Sequence, residues 1–113
     1  MLTREQEVHL FRKMNFRKYQ AARLREAIDP SRTLHADLDR VEELLREAGA
    51  IRNRIIRSNL GLVAYIVKKT SGPCQDFFDL VSEGNLALIR ASERFDFGRG
   101  NRFSTYATWA IIN

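Results

Sequence analysis

Asp76-Phe77-Phe78-Asp79-Leu80-Val81-Ser82-Glu83-Gly84-Asn85-Leu86-Ala87-Leu88-Ile89-Arg90-Ala91-Ser92-Glu93-Arg94 is the stretch on which the fold class turns. Phe77, Leu80, Val81, Leu88 and Ala91 recur at helical rather than strand spacing, so they are expected to face inward from a helix running from Asp76 to about Arg94. The same period continues on both sides. Downstream, Asp96 to Gly100, with Gly98 and Gly100, reads as a tight connector. A further helix is expected from near Ser104, a good N-cap. It is still running at Asn113, so the sequence reads as a piece of a longer protein. Upstream, Thr70 to Gln75, with Gly72-Pro73, reads as a loop. Before it, Ile51, Ile55, Leu62 and Ile66 share one face of a helix over roughly Ile51 to Lys69, with Asn59 and Gly61 marking a kink. Leu34, Leu38, Val41, Leu45 and Ala48 make the stripe of a helix from about Thr33 to Ala48. Gly49 either breaks that helix or is carried through it at ~1 kcal/mol. The first helix starts at Thr3, whose pairing with Gln6 fits a capping box. Leu10, Met14, Ala21, Leu24 and Ile28 line it, with Val8 and Phe11 beside them, and Asp29-Pro30-Ser31 ends it. The expected fold is all-α: a compact bundle of about five helices in a single domain, 1–113. An upstream helix (1–28), spacer helices (33–58) and a core segment (59–113) divide it.

Two prolines and six glycines among 113 residues leave long uninterrupted helical stretches, and a hydrophobic fraction of 44% supports a real core. No apolar run approaches the ~20 residues that span a bilayer, and Arg4 and Glu5 follow Met1 too closely for a signal peptide. A cytoplasmic protein is the expectation. The lone Cys74 cannot form an internal disulfide, and with His9 and His35 scattered it suggests neither a metal site nor a nucleophile. No phosphate-binding glycine loop, Cys-x-x-Cys pair or His-Glu-x-x-His is present. The chain is therefore not read as an enzyme, and no cofactor or metal is expected.

Charge says more about partners. The net charge is +5, which favours a polyanion. From Ala50 to Gln75 the chain carries Arg52, Arg54, Arg57, Lys68 and Lys69 and no acid. From Asp76 to Asp96 five acids face Arg90 and Arg94, and beyond Asp96 only Arg99 and Arg102 are charged. A basic surface beside an acidic one suggests two different partners. Asp79 and Glu83 stand one helical turn apart, a like-charged pair that slightly destabilises a free helix. They read either as a solvated face or as a patch for a basic partner. Gly84 inside that helix makes sense if another helix approaches closely there. In Arg102-Phe103-Ser104-Thr105-Tyr106-Ala107-Thr108-Trp109, rings alternate with hydroxyls and guanidinium groups. Tyr106 and Trp109 share a face. Aromatics at this spacing are commonly core, yet the mixture also suits unstacked bases, each worth ~1–3 kcal/mol when stacked on a ring.

Asn59-Leu60-Gly61-Leu62-Val63, Ile66-Val67-Lys68-Lys69, Phe78-Asp79-Leu80-Val81-Ser82-Glu83-Gly84-Asn85-Leu86 and Arg99-Gly100-Asn101-Arg102-Phe103-Ser104-Thr105-Tyr106-Ala107-Thr108-Trp109 together resemble region two of the sigma-70 family, in order and in spacing. Leu2 to Glu7 resembles, more loosely, the family's upstream region-one helix. The resemblance implies a sigma factor that binds core RNA polymerase and melts the minus-ten promoter element in transcription initiation. It assigns Asp79, Ser82, Glu83, Asn85 and Ile89 to the clamp helices of the polymerase beta-prime subunit. It assigns the non-template single strand of promoter DNA to the helix bearing Phe103 and Tyr106, which would line a flipped-base pocket, with Trp109 at the fork. Asn59, Leu62, Ser104 and Thr105 would form a second base pocket, and Lys68, Lys69, Arg99 and Arg102 would hold phosphates. An anti-sigma protein is a further partner that the resemblance admits, and nothing in the sequence requires more than a monomer. Ala110 and Ile112 depart from the second tryptophan and the basic residue common in the family. Asn101 stands where a bulky residue is frequent, and Ser82 replaces a common glutamine. A helix-turn-helix duplex binder and a purely structural helical module are the alternatives. The first would place base-reading Arg, Gln or Asn early in the last helix; the second would bury Tyr106 and Trp109.

Overall fold

Five helices follow one another in the computed structural model, which describes residues 2–29, 35–70 and 76–112. They are α1 (Arg4–Ala27), α2 (His35–Arg57), α3 (Leu60–Thr70), α4 (Phe77–Arg94) and α5 (Phe103–Ile112), with a single 3-10 turn at Phe97–Arg99 before α5. No strand occurs among the described residues, and the fold is all-α as expected. The expectations for Pro30-Ser31, a helix start at Thr33, Leu34, the Gly72-Pro73 loop, Cys74 and Asn113 fall outside the described residues.

α1 begins with the capping box: the Thr3 amide donates to Gln6 Oε1 (2.9 Å) and the Gln6 amide to Thr3 Oγ1 (3.1 Å). The α1 and α2 helices pair antiparallel. Arg17 of α1 meets Glu47 of α2 (2.8 Å). Towards the C-terminal end of α1, Ala21 packs with Val41 and Leu44; towards its N-terminal end, Phe11 and Met14 share a cluster with Ala48 and Ile55. Leu44, only 2% exposed, was missing from the expected stripe, whereas Leu38 and Leu45 are largely exposed. The packing arc of α2 is rotated toward Val41, Leu44 and Ala48, the face that α1 covers. Phe77, expected inward, is also exposed, because it sits at the open first turn of α4.

The break between spacer helix and core helix falls at Ser58–Asn59, not at Gly49. Gly49 lies inside α2, with open space around it. At the junction the Asn59 side-chain amide donates to the Ile55 carbonyl (2.7 Å) and the Ser58 hydroxyl to the same carbonyl (2.7 Å). Short polar side chains that satisfy carbonyls freed at a helix end stop the ladder there.

The main core joins all five helices. Phe11, Phe95 and Phe103 form an aromatic triangle with centroid separations of 5.0, 5.2 and 5.4 Å. Ile55, Val63 and Leu88, none of them exposed, complete its centre. Gly84 of α4 lies against α3: a Cβ there would stand 2.6 Å from Val63 Cγ1. The close helix approach anticipated from the sequence is thus an internal one. Glu93 of α4 fastens the hairpin to this core, accepting from Lys18 of α1 and pairing with Arg52 of α2 (3.5 Å). The Lys18 hydrogen bond, ahead of the weaker pull of Arg52, holds the Glu93 carboxyl below its usual pKa against a partial desolvation that raises it.

Two measurements check this packing. Gly84→Ala gains ~1 kcal/mol of helix propensity but forces a β-branched, buried neighbour aside, an overpacking cost of ~1–3 kcal/mol. Urea melts should therefore show net destabilisation for Gly84→Ala and stabilisation by ~0.5–1 kcal/mol for Gly49→Ala, which has no such neighbour. Because the folded pKa of Glu93 is depressed, its contribution is present above the usual glutamate range and is lost as the pH falls through the folded value. Acid-titrated melts of Glu93→Gln should lack that part of the wild-type decline, a difference of ~1 kcal/mol or less for so solvent-exposed a network.

Candidate functional site

The last helix owes its start to the first. Phe103 opens α5, and its backbone N–H donates to the Glu7 Oε1 carboxylate oxygen (2.6 Å). Glu7 is 4% exposed. Its other oxygen lies 3.4 Å from Arg102 Nη2, which also donates to the Leu2 carbonyl (2.9 Å). A carboxylate at a helix N-terminus satisfies an orphan amide and meets the positive end of the helix dipole. Ser104 is therefore not the N-cap that its chemistry suggested; it lies one residue inside the helix, half-buried. The approach to α5 is equally constrained. The Asp96 carboxylate accepts from the Gly98 amide (2.9 Å), and Gly100 adopts φ = +84°, a left-handed turn that favours glycine. Arg4 of α1 donates to the Gly100 carbonyl (2.9 Å).

This anchoring sorts the residues expected at the DNA face. Phe103, expected to line an open pocket, is wholly buried in the aromatic triangle and serves the core. Tyr106 is half-buried with its ring 5.6 Å from that of Phe95. Trp109 is 66% exposed, and Thr105, one turn before it, is exposed as well. Tyr106 and Trp109 thus part company: one leans on the core and the other stands in solvent. Thr108 turns its hydroxyl back to the Ser104 carbonyl (2.7 Å). Asn59 is 5% exposed, with its amide nitrogen engaged at the α2–α3 junction, and Leu62 packs partly against the core. Asn59 is thus enclosed, and Leu62 is only partly exposed. Of the phosphate candidates, Lys68, Lys69 and Arg99 are exposed, whereas Arg102 turns inward to Glu7. The Lys69 ammonium sits 4.9 Å from the Tyr65 ring centroid, and its hydrogen bond with Tyr65 raises its pKa, so it stays charged. Arg99 pairs only at the surface, with Asp96 at 3.5 Å.

The polymerase candidates fall on one face of α4. Asp79, Ser82 and Glu83 are exposed, and Phe78 and Leu86, at 79% and 53%, stand among them. Asn85 and Ile89 are half-buried at the edge of that face, and Asn85 Oδ1 is enclosed with no donor among the described residues. Two large apolar side chains exposed between acids make this face amphipathic. Beside it, a groove of about 610 Å³ is lined by Ile66, Leu80, Glu83, Arg90 and Ile111, among others. The opposite face of α4, with Gly84, Leu88 and Ala91, is the one buried in the core.

Sequence reasoning missed Glu7 and Phe11. Glu7 resembles any acid in a first turn, and its partners lie 95 and 96 positions away. Phe11 appeared only as a companion to the stripe it in fact centres.

Replacing Glu7 tests the anchoring. Glu7→Ala is expected to lower the unfolding free energy by ~1.5–3 kcal/mol, the range for hydrogen bonds to charged groups. Glu7→Gln should cost less, since an amide oxygen still accepts from Phe103. Hydrogen exchange should report the change first at the amide of Phe103.

Set beside known protein families, residues 55–113, slightly more than half of the chain, match the family model of sigma-70 region 2.

Proposed function

The chain belongs to the sigma-70 family, and from that premise we propose that α4 docks it on the beta-prime clamp helices of core RNA polymerase while α5 holds the melted non-template strand of the minus-ten element. With the family come a sigma-factor role in transcription initiation and, as general partners, core RNA polymerase and promoter DNA. It is a family of regulatory initiation factors rather than of enzymes. No helix among the described residues is long and apolar enough to cross a membrane.

The observation that carries the proposal is that the matched segment presents two exposed faces of opposite chemistry. One is the acidic, Phe78- and Leu86-bearing face of α4; the other is the hydroxyl- and tryptophan-bearing face of α5. On α4, Asp79, Ser82 and Glu83 meet a basic partner, with Asn85 and Ile89 at the margin. On α5, Trp109, 66% exposed, offers its ring to a base leaving the stack, and Tyr106 only the part that Phe95 leaves open. One stacked base gains ~1–3 kcal/mol, against a few kcal/mol to unstack it. One stacked ring therefore holds a flipped base only with help. Lys68, Lys69 and Arg99 supply it at the phosphates, and polymerase supplies it by restricting the strand. Melting is binding here: the protein captures bases as they open and makes no covalent step.

Binding of the chain to a beta-prime clamp-helix fragment should be lost in Asp79→Ala/Glu83→Ala. The same substitution removes a like-charged i,i+4 pair but also an acid from the first turn of α4, so it should melt within a few tenths of a kcal/mol of wild type. Loss of docking at unchanged stability separates an interface from a structural role. Folded wild type that fails to bind the fragment would overturn the docking reading. In the polymerase-bound complex, Trp109→Ala should weaken binding of a minus-ten non-template oligonucleotide by ~1–3 kcal/mol. An unchanged affinity there would remove Trp109 from the DNA face.

A further inference from the structure

We propose that the groove between the distal halves of α1 and α2 is a docking site for an acidic amphipathic helix of a partner protein. Its volume is about 540 Å³, and Phe16, Tyr19, Arg23, Leu24, Arg40 and Leu44 line it. Phe16 and Tyr19 are 52% and 59% exposed, a large apolar area for a surface helix to leave in water. Arg12, Phe16, Tyr19 and Arg23 succeed one another at i, i+4, i+7 and i+11, so they form one stripe of about 16 Å along α1. The stripe is basic at its ends and aromatic in its middle. Arg12 already lies over the Phe97 ring, 5.9 Å from its centroid. From Val8 to Arg25 the helix carries six basic residues and no acid. Arg17 and Lys18 are neutralised by Glu47 and Glu93, whereas Arg23 makes no ion pair among the described residues.

The floor decides the occupant. Leu24 and Leu44 belong to the small apolar cluster of Ala21 and Val41, and together they make an aliphatic seat for an inserted side chain. A phosphate backbone has nothing to place there. An amphipathic helix instead lays apolar anchors at i, i+3/i+4 and i+7 on Phe16, Tyr19 and the leucine floor, and its flanking carboxylates reach Arg12 and Arg23 at the two ends of the stripe, Arg40 being held by Glu43 at 3.1 Å. All the lining residues precede residue 55, so the groove lies outside the segment shared with the family and leaves the α4 and α5 faces free.

The test is a fluorescence-anisotropy titration of the whole chain with a synthetic helical peptide of about 18 residues, long enough to hold helical structure. The peptide carries leucine and phenylalanine anchors at those positions and glutamates elsewhere. Micromolar binding is expected, about tenfold or more weaker for Arg23→Glu and undiminished for Trp109→Ala. That last variant separates failure here from failure of the DNA reading. Both residues are exposed, so circular dichroism melts should coincide with wild type. Equal binding of a peptide with lysine for every glutamate would overturn the proposal. So would displacement of the acidic peptide by an oligothymidylate, which would assign the groove to nucleic acid. So would a sedimentation dimer abolished by Tyr19→Asp, which would assign it to a second copy.

Discussion

The Glu7 carboxylate ties the two ends of the described chain together. It is buried, it caps α5 through the Phe103 amide and it faces the Arg102 guanidinium. An ionised carboxylate enclosed without partners costs several kcal/mol, so the burial of α1 and the start of α5 are one event. Without α1, α5 would begin with an uncapped amide. Without α5, Glu7 would remain in the interior unpaired. Arg4 on the Gly100 carbonyl and Arg102 on the Leu2 carbonyl extend the same seam on either side. The surface helix that bears Trp109 is therefore aimed by residues outside the family-matched segment.

Inside this seam the core divides each functional helix into a fixed face and an offered one. Phe103 fills the triangle with Phe11 and Phe95, which fixes the rotation of α5 and leaves Thr105 and Trp109 outward. Gly84 does the same for α4. By letting Val63 approach, it brings α4 down on α3 along its Gly84–Leu88–Ala91 side and turns Phe78, Ser82 and Leu86 to solvent. The functional surface is thus defined negatively, as what the packing of Phe103 and Gly84 leaves over. That explains why the two motifs mix residues with opposite fates. Within one short segment some positions face the core and others face solvent.

The helices themselves were legible in the sequence because their signals are local: the Thr3–Gln6 capping box and the apolar spacing of α4. The exposed acidic face of α4 was legible for the same reason, since helical spacing alone puts Asp79, Ser82 and Glu83 together. Misreadings occurred where tertiary contact overrides local preference. Ser104 has the right chemistry for a cap, but a carboxylate from α1 takes the position one residue earlier. Gly49 looks like a break, yet α1 packs along α2 and carries the helix through it, while Asn59 and Ser58 end it by bonding to the Ile55 carbonyl. Phe103 and Asn59 bear residue types suited to bases, but burial is not a property of residue type. Only the fold shows that both are enclosed.

The outer surface also carries charge in an order that the core does not require. The cations of distal α1 could all have been neutralised by α2, which bears Asp37, Asp39, Glu42, Glu43 and Glu47 in its first half. Instead Glu47 takes Arg17, Glu43 takes Arg40 within its own helix, and Glu93 reaches across from α4 for Lys18. The hairpin is thereby pinned at its middle to the main core, while its far end holds only the small Ala21–Val41–Leu44 cluster. A satellite cluster of that size stabilises little by itself, and exposed aromatics beside it add nothing to folding. Their presence beside Arg23, on a lever about 24 Å along α1 from the Glu7 anchor, has a physical reason if something else binds there.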